Sequence, residues 1–216
     1  MQLARVGCEV RLGGVVELDL LEAMVTDREN KRYLPDVAFP DNLTAYPDLG
    51  ECLDGVRDIL IVVPSHGLRS TLTRIKPMLG PDSRICWATK GFELSTGKLP
   101  HQVAAEVLGD DIPVAVLSGP TFAKEVGAGL PTAMTIASPD EEFARSLAET
   151  ISSDNFRAYT SDDMIGVEVG GAVKNALAIG AGMSDGLGFG ANTRIALINR
   201  GLVELMRLGV ALGAKQ

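Results

Sequence analysis

The stretch Arg57-Asp58-Ile59-Leu60-Ile61-Val62-Val63-Pro64-Ser65 decides the fold class, because an unbroken apolar run ends in a proline and a serine. An apolar run of this length is typical of a strand that is buried on both faces of a parallel sheet. Proline is favoured in the first turn of a helix, so the stretch predicts a strand followed at once by a helix to about Leu79.

Strand and helix patterns alternate on both sides of this stretch. Helical spacing covers residues 17–33, and Leu34-Pro35-Asp36 is expected to end it. The remaining predicted elements are strands at 8–12, 83–89, 114–117, 132–138 and 156–160, helices at 99–108 and 140–152, and a short helix opened by Ser118-Gly119-Pro120-Thr121. The alternation predicts an α/β fold with a Rossmann-like, mostly parallel sheet, in which ligands bind at the carboxyl ends of the strands.

The pattern changes near residue 160, where we place a domain boundary between residues 1–160 and 161–216. The second part predicts two helices, at 163–183 and 192–212, and little strand. The first helix holds Gly166, Gly170, Gly171, Gly180 and Gly182. Each interior glycine costs about 1 kcal/mol relative to alanine. Close approach of another backbone or of a ligand is the expected compensation.

A second glycine pattern runs from Gly180-Ala181-Gly182 through Gly186, Gly188 and Gly190. It imitates a dinucleotide-binding fingerprint, but that fingerprint must follow a strand, whereas this run follows a helix. We interpret it as a helix C-terminus and a turn into the last helix.

Composition excludes several classes of function. The net charge of −8 disfavours binding to nucleic acid or to an anionic membrane. Three well-separated cysteines predict neither a disulfide framework nor a metal site, and they favour a reducing compartment. No apolar run is expected to approach the roughly 18 residues of a membrane span, and no signal peptide is visible. A cytoplasmic protein is therefore predicted.

Three strand ends carry candidate site residues. Pro64 and Ser65 suit a cofactor or phosphate at a helix N-terminus, although a plain helix start gives the same pattern. Lys90 places an ammonium over the ligand crevice, or is an exposed surface lysine. Gly119 lets the backbone approach a ligand, or belongs to a capped turn.

Lys174 lies within about one helical turn of Gly170 and Gly171, so the ammonium and the thinned helix face are neighbours. Burial in a crevice beside a second cation such as Lys90 would lower its proton affinity. It would then serve as a proton donor or acceptor near neutral pH. The alternative is a solvated helix lysine.

Six runs occur together in a fixed order and carry a family resemblance. They are Leu34-Pro35-Asp36-Val37, Val63-Pro64-Ser65-His66, Ala88-Thr89-Lys90-Gly91, Ser118-Gly119-Pro120-Thr121-Phe122-Ala123-Lys124-Glu125, Gly170-Gly171-Ala172-Val173-Lys174-Asn175 and Asn192-Thr193-Arg194-Ile195-Ala196-Leu197-Ile198. The set resembles bacterial NAD(P)-dependent glycerol-3-phosphate dehydrogenase, over nearly the whole chain.

The resemblance implies reversible reduction of dihydroxyacetone phosphate to sn-glycerol 3-phosphate, a phospholipid precursor, with NAD or NADP. It implies that Lys174 contacts the substrate as proton donor and acceptor, and that Lys90 contacts both cofactor and substrate. The positions of Gly119 and Thr121 are implied to contact the substrate, and that of Ala123 the cofactor. A Rossmann domain, a helical substrate domain and a homodimer are further expectations.

The sequence also departs from the family pattern. The family's first strand and its G-x-G-x-x-G turn have no counterpart before Leu3, and its later helical segment has none after Gln216. We therefore expect the sheet to lack its first strand, the helical domain to be incomplete, and this polypeptide alone to bind cofactor weakly and turn over poorly.

Cofactor choice stays open, because Val15 and Val16 offer no ribose partner and Glu17 lies far along the chain.

Two other functions remain open at this point. One is an enzyme of the same architecture that acts on another hydroxy acid or acyl substrate. The other is a truncated, non-catalytic remnant that binds nucleotide or a partner chain.

Overall fold

The structure is a computed structural model that describes residues 1–14 and 17–215. Its strands are β1 (Val10–Gly13), β2 (Leu43–Tyr46), β3 (Asp58–Ile61), β4 (Arg84–Trp87), β5 (Val114–Ser118), β6 (Thr132–Ala137) and β7 (Phe156–Ser161). Its helices are α1 (Gln2–Arg5), α2 (Leu18–Asp27), α3 (Leu49–Leu53), α4 (Ser65–Ile75, continued by a 3-10 turn at Lys76–Met78), α5 (Pro100–Leu108), α6 (Ala123–Gly127), α7 (Glu141–Ile151), α8 (Met164–Gly186) and α9 (Ala191–Ala211).

The strands form two separate sheets. Strand β1 pairs in parallel with β2, and the other five strands form one sheet in the order β3-β4-β5-β6-β7. All neighbours in the larger sheet are parallel except β5 and β6, which run antiparallel. The predicted α/β fold with a mostly parallel, Rossmann-like sheet is confirmed. Because β3, β4 and β5 are parallel, their carboxyl ends meet at one edge.

The larger sheet is covered on both faces, as the alternation of strand side chains requires. In β4, Ile85 and Trp87 point into the cluster formed with α4 and α5, whereas Cys86 points into the cluster formed with α7. All three side chains are buried. The burial of Cys86 raises the pKa of its thiol to about 12, so this cysteine is an inert core residue.

The expectation that the β3 segment is buried on both faces is wrong. Ile59 and Ile61 are buried, but Asp58 is exposed and Val62 is 69% exposed. Strand β3 lies at the end of the strand order and pairs with β4 alone among the strands that the structure describes. An edge position of this kind leaves side chains beside the open edge less covered than those of a central strand.

The predicted helix over 17–33 is too long. Helix α2 ends at Asp27, because Arg28 adopts the left-handed conformation with φ 52° and the chain turns back there. The Arg28 carbonyl then accepts a hydrogen bond from the Phe39 amide at 2.7 Å. The sequence reading also missed β2 and α3, two elements of four and five residues that are too short for periodicity to reveal.

Two long helices follow β7, and the first of them packs on the sheet. Helix α8 contacts β5 and β6, and it also contacts α9, the helix that follows it in the chain. Asp163 caps its N-terminus, since the Asp163 carboxylate accepts from the Gly166 amide at 2.9 Å. Gly180 and Gly182 lie inside this helix, as predicted, and the helix ends at Gly186, three residues after the predicted end at Met183. The turn comes later, at Gly188 with φ 77°.

By length and composition alone, α8 is long and apolar enough to cross a membrane. The helix is not an unbroken apolar run, since Glu168, Lys174 and Asp185 interrupt it. A single helix of this kind is weak evidence for a membrane protein. The buried residues of α8, among them Met164, Val169 and Gly171, tie the helix to the folded domain.

Replacing the helix cap tests how firmly α8 is anchored. Asp163→Ala removes the acceptor for the Gly166 amide and for the Lys215 amide at 3.2 Å, so we expect a loss of about 1 kcal/mol in the free energy of unfolding. Denaturant titration followed by circular dichroism measures it. Asp162→Ala is the matched control, because Asp162 is exposed and binds only the Lys215 side chain among the contacts described. An equal loss in both variants would contradict the capping role.

Candidate functional site

The candidate site lies at the shared carboxyl edge of β3, β4 and β5. The Thr89 hydroxyl donates to the Val63 carbonyl at 2.7 Å and ties the segment after β4 to the segment after β3. Gly91, with φ 101°, then turns the chain so that its Cα faces Ser65, where an added Cβ would lie 3.7 Å from the Ser65 Oγ. Pro64 and Ser65 are thus brought close to the loop that carries Lys90.

Helix α4 presents an uncapped N-terminus to this edge. Pro64 is the residue before the helix, and no side chain caps the first turn. The first amides of a helix lack internal partners and carry a partial positive charge, which favours an anionic or carbonyl-bearing ligand. Pro64 and Ser65 therefore fit the predicted cofactor edge.

Lys90 leaves β4 and reaches across to the segment after β5. Its Nζ donates to the Gly119 carbonyl at 2.8 Å. Partial burial, reinforced by the positive charge of Lys174, lowers the pKa of the Lys90 ammonium. Lys174 is therefore one of the charges that act on the Lys90 ammonium.

The segment after β5 is held close to the sheet at Gly119. A Cβ at this position would lie 2.6 Å from the Ala133 carbonyl oxygen and 2.8 Å from the Met134 Cα, so only glycine fits. The Gly119 carbonyl also accepts from the Thr121 amide at 3.0 Å, which places Thr121 beside the Lys90 ammonium. Ala123, the remaining predicted residue of this segment, begins α6 and is exposed.

Helix α8 brings Lys174 over the same segment. The Lys174 Nζ lies 5.8 Å from the centroid of the Phe122 ring. One turn earlier, an added Cβ at Gly171 would lie 2.8 Å from the Ser118 Oγ and 3.7 Å from the Lys90 Cγ. Lys174 is itself exposed, so the expected burial of its side chain is not seen in this structure.

The glycines of α8 have different neighbours. Gly171 meets Ser118 and Lys90, Gly180 meets Leu197 of α9, and Gly166 meets the Asp163 cap. An added Cβ at Gly170 or Gly182 would contact no atom within 4 Å among the described residues. Close approach of a neighbouring element therefore explains the glycines at 171 and 180. Gly170 instead leaves open space on the helix face that carries Lys174 four residues later.

Sequence reasoning missed a buried carboxylate next to the site. Glu168 of α8 accepts hydrogen bonds from the Trp87 indole and from the His101 amide, each at 3.0 Å. Its other oxygen lies 2.6 Å from the His101 Nδ1. The available signal was a single acidic residue in the otherwise apolar segment 164–173.

An ion network that sequence reasoning also missed holds the loop after Lys90. Glu93 is buried and accepts two hydrogen bonds from Arg69, at 2.8 and 2.9 Å. Arg69 also pairs with Glu106 of α5 at 2.7 Å, and Lys98 pairs with the same carboxylate. The Arg69 guanidinium, with help from the Thr96 hydroxyl, holds the pKa of Glu93 at about 2.

No group of three His, Cys, Asp or Glu residues is placed to hold a metal within the described ranges 1–14 and 17–215. Val15 and Val16, on which the cofactor-choice argument depends, lie outside these ranges. Glu17 pairs with Arg32 at 2.9 Å and accepts from the Tyr33 hydroxyl at 3.0 Å.

Taken together, two ammonium groups and a set of free helix amides converge on one edge of a parallel sheet. Such an arrangement suits an anionic substrate, because both lysines attract negative charge. It also provides a proton donor beside a cation that stabilises developing oxyanion charge.

Comparison with known proteins assigns the chain to a family. Residues 1–144 match the model of the NAD-dependent glycerol-3-phosphate dehydrogenase N-terminus, and residues 163–216 match that of the corresponding C-terminus. The chain belongs to the NAD-dependent glycerol-3-phosphate dehydrogenase family. The resemblance predicted from the sequence motifs is confirmed.

Individual relatives agree with this assignment. A protein of Citrobacter koseri named glycerol-3-phosphate dehydrogenase [NAD(P)+] is 56% identical over 98% of this chain, and one of Klebsiella pneumoniae is 60% identical over 87%. The crystal structure of glycerol-3-phosphate dehydrogenase from Coxiella burnetii matches with a TM-score of 0.93 and 49% identity, over 100% of this chain and 65% of that chain.

The chain spans 62% of the length of the Citrobacter protein and 56% of that of the Klebsiella protein.

Two glycine substitutions separate the effect of close packing on stability from the effect of helix propensity. Gly119→Ala forces a methyl group against backbone atoms of β6, so we expect a loss of about 1–3 kcal/mol in the free energy of unfolding. Gly170→Ala is the control, because its methyl group enters open space and alanine favours the helix by roughly 0.5–1 kcal/mol. Denaturant titration measures both. A neutral Gly119→Ala would show that the backbone contact is not tight.

The ion network predicts an acid-sensitive stability. Because the pKa of Glu93 is lowered in the folded state, this carboxylate stabilises the fold above its ordinary pKa near 4.5 and loses that contribution as the pH falls towards about 2. Glu93→Gln should therefore lower the melting temperature at pH 7 and flatten its decline below about pH 4.5.

Differential scanning calorimetry across this pH range measures the effect. Glu125→Gln is the control, since Glu125 is exposed on α6 and should leave the decline unchanged. An unchanged acid decline in Glu93→Gln would contradict the prediction.

Proposed function

We propose that the protein is an oxidoreductase that interconverts sn-glycerol 3-phosphate and dihydroxyacetone phosphate with NAD(P)(H), and so supplies glycerol 3-phosphate for phospholipid synthesis. The observation that carries the proposal is the convergence of Lys90 and Lys174 at the carboxyl edge of β3, β4 and β5. The names of the relatives, glycerol-3-phosphate dehydrogenase [NAD(P)+], support the substrate and the cofactor class.

The residues present fit a nicotinamide dinucleotide. The uncapped first turn of α4 offers free amides after Pro64, at Ser65 and beyond, to its polar groups. Lys90 and the start of α6 at Ala123 lie further along the same edge. We therefore assign residues 1–160 to cofactor binding and residues 161–216 to substrate binding, with Lys90 serving both. The choice between NAD and NADP stays open.

When bound, the reduced nicotinamide supplies a hydride to the ketone carbon of the substrate. Lys174 donates the proton that the ketone oxygen needs as its negative charge grows, and it takes the proton back in the reverse direction. Lys90, held by the Gly119 carbonyl, contributes the fixed positive field that stabilises this oxygen. Gly119 and Thr121 form the wall against which the substrate lies.

The two like charges have a further consequence. The positive charge of Lys174 raises the cost of protonating Lys90, and a dianionic phosphate group relieves that cost on binding. A phosphorylated ketose is therefore favoured over an uncharged ketone of the same size. The two positive charges also favour a phosphorylated ketose over a simple hydroxy acid, which carries a single negative charge.

Location and assembly complete the proposal. We infer a soluble, cytoplasmic protein with no nucleic-acid partner, from its acidic charge and cysteine usage. We also propose a homodimer. Apolar side chains are exposed on α8 and α9, and a partner subunit would cover them; they include Ile179, Met183, Ile195 and Met206.

A reductase assay tests the function. The full-length protein should oxidise NADH or NADPH when dihydroxyacetone phosphate is added, and Lys174→Ala should lower kcat by about 100-fold or more because the proton donor is lost. Absorbance of the reduced nicotinamide measures the rate. Lys31→Ala is the matched control, since Lys31 is an exposed lysine paired with Asp27 away from the site.

Wild-type rates in Lys174→Ala would remove Lys174 from its role. Cofactor binding without any turnover in the wild type would favour the alternative function, a non-catalytic nucleotide binder.

A further inference from the structure

The carboxylate of Glu168 is buried between α8 and the larger sheet, with its side chain 1% exposed. It has a protein partner for each oxygen: the Trp87 indole and the His101 amide on Oε1, and the His101 Nδ1 on Oε2. A buried charge without partners is very costly, whereas one satisfied by several donors is retained. Glu168 is thus fixed from two sides.

Its environment explains why the carboxylate tolerates burial. His101 lies in the first turn of α5, so its amide is one of the helix amides without an internal partner. The positive end of the α5 dipole faces the carboxylate there. The His101 Nδ1 completes the set, because it lies within hydrogen-bond distance of the second carboxylate oxygen.

The carboxylate joins the two elements that deliver the lysines. Trp87 is the fully buried last residue of β4, and Lys90 follows it by three residues. Glu168 precedes Lys174 by six residues of α8, about 9 Å along the helix axis. Between them, Gly171 lets α8 approach Ser118 and the Lys90 side chain.

We propose that Glu168 is a positioning residue that clamps α8 to β4 and α5 and thereby sets the spacing of Lys90 and Lys174. Glu168 touches neither lysine, so it acts through the position of the helix. The contact at Gly171 is packing alone and permits sliding, whereas three directed hydrogen bonds fix both the rotation and the height of α8. This inference rests on the proposed function, in which Lys90 and Lys174 must both contact the same substrate.

The spacing is measurable without catalysis, through the titration of Lys90. Lys174 and partial burial lower the pKa of Lys90, so a displaced α8 should let that pKa rise. The pH dependence of acetylation at each lysine, read by mass spectrometry of the full-length protein, reports this quantity. Exposed Lys31 serves as the internal reference.

Glu168→Ala should raise the midpoint of Lys90 acetylation by about 0.5 pH unit and leave that of Lys31 unchanged. Glu168→Gln keeps an acceptor for the indole and the amide, so it should restore most of the wild-type value. Glu149→Ala is the matched control, since Glu149 is exposed on α7, and it should match the wild type. A loss of stability alone would not move the Lys90 midpoint.

His101→Gln keeps the test decisive should Glu168→Ala fail to fold. It removes the ring contact, retains the backbone amide, and changes a side chain that is already 24% exposed. It should raise the Lys90 midpoint by a smaller amount. A wild-type midpoint in every folded variant would overturn the proposal. A shifted midpoint in a protein without reductase activity would instead overturn the proposed function and leave the positioning role standing.

Discussion

The close approach of α8 to the carboxyl edge of the sheet is the constraint on which the site depends. At Gly171 the helix lies so near Ser118 that a methyl group would stand 2.8 Å from its hydroxyl oxygen. This contact lets a helix that follows the sheet in sequence add Lys174 to an edge that already carries Lys90. A bulkier residue would hold the helix away, and the two ammonium groups would separate.

Bringing two like charges together costs free energy, and contacts to each ammonium group offset part of that cost. The Gly119 carbonyl accepts from Lys90, and Lys174 lies over the face of the Phe122 ring. Glu168 contributes differently, since its charge is satisfied by Trp87 and His101 and does not neutralise either lysine. The site therefore keeps its net positive charge for an anionic substrate.

Much of this arrangement could be predicted from the sequence. The apolar run before Pro64 predicted a parallel strand and its carboxyl edge. The family resemblance came from six sequence motifs, among them the one around Lys174. Residues 28–33 were predicted wrongly, since a left-handed residue such as Arg28 ends a helix without a glycine or proline to signal it. The exposure of Lys174 was equally hidden, because burial depends on which elements cover a helix.

The contacts of Glu168 could not be predicted for a different reason. Its partners Trp87 and His101 are 81 and 67 residues away in the chain, and only the packing of α8 on the sheet brings them together. A lone acid in an apolar helix indicates that some partner exists, but not which one. The ion network of Glu93 and Arg69 is hidden in the same way, as its members lie on a loop and two helices.

The central claim is that Lys90 and Lys174 bind one phosphorylated substrate together. Protection of lysine side chains from acetylation by increasing sn-glycerol 3-phosphate tests it most directly, with each lysine read separately by mass spectrometry. The account predicts that Lys90 and Lys174 become protected along one common saturation curve while Lys31 keeps its reactivity. Protection of only one of the two lysines, or of neither at saturating substrate, would contradict it.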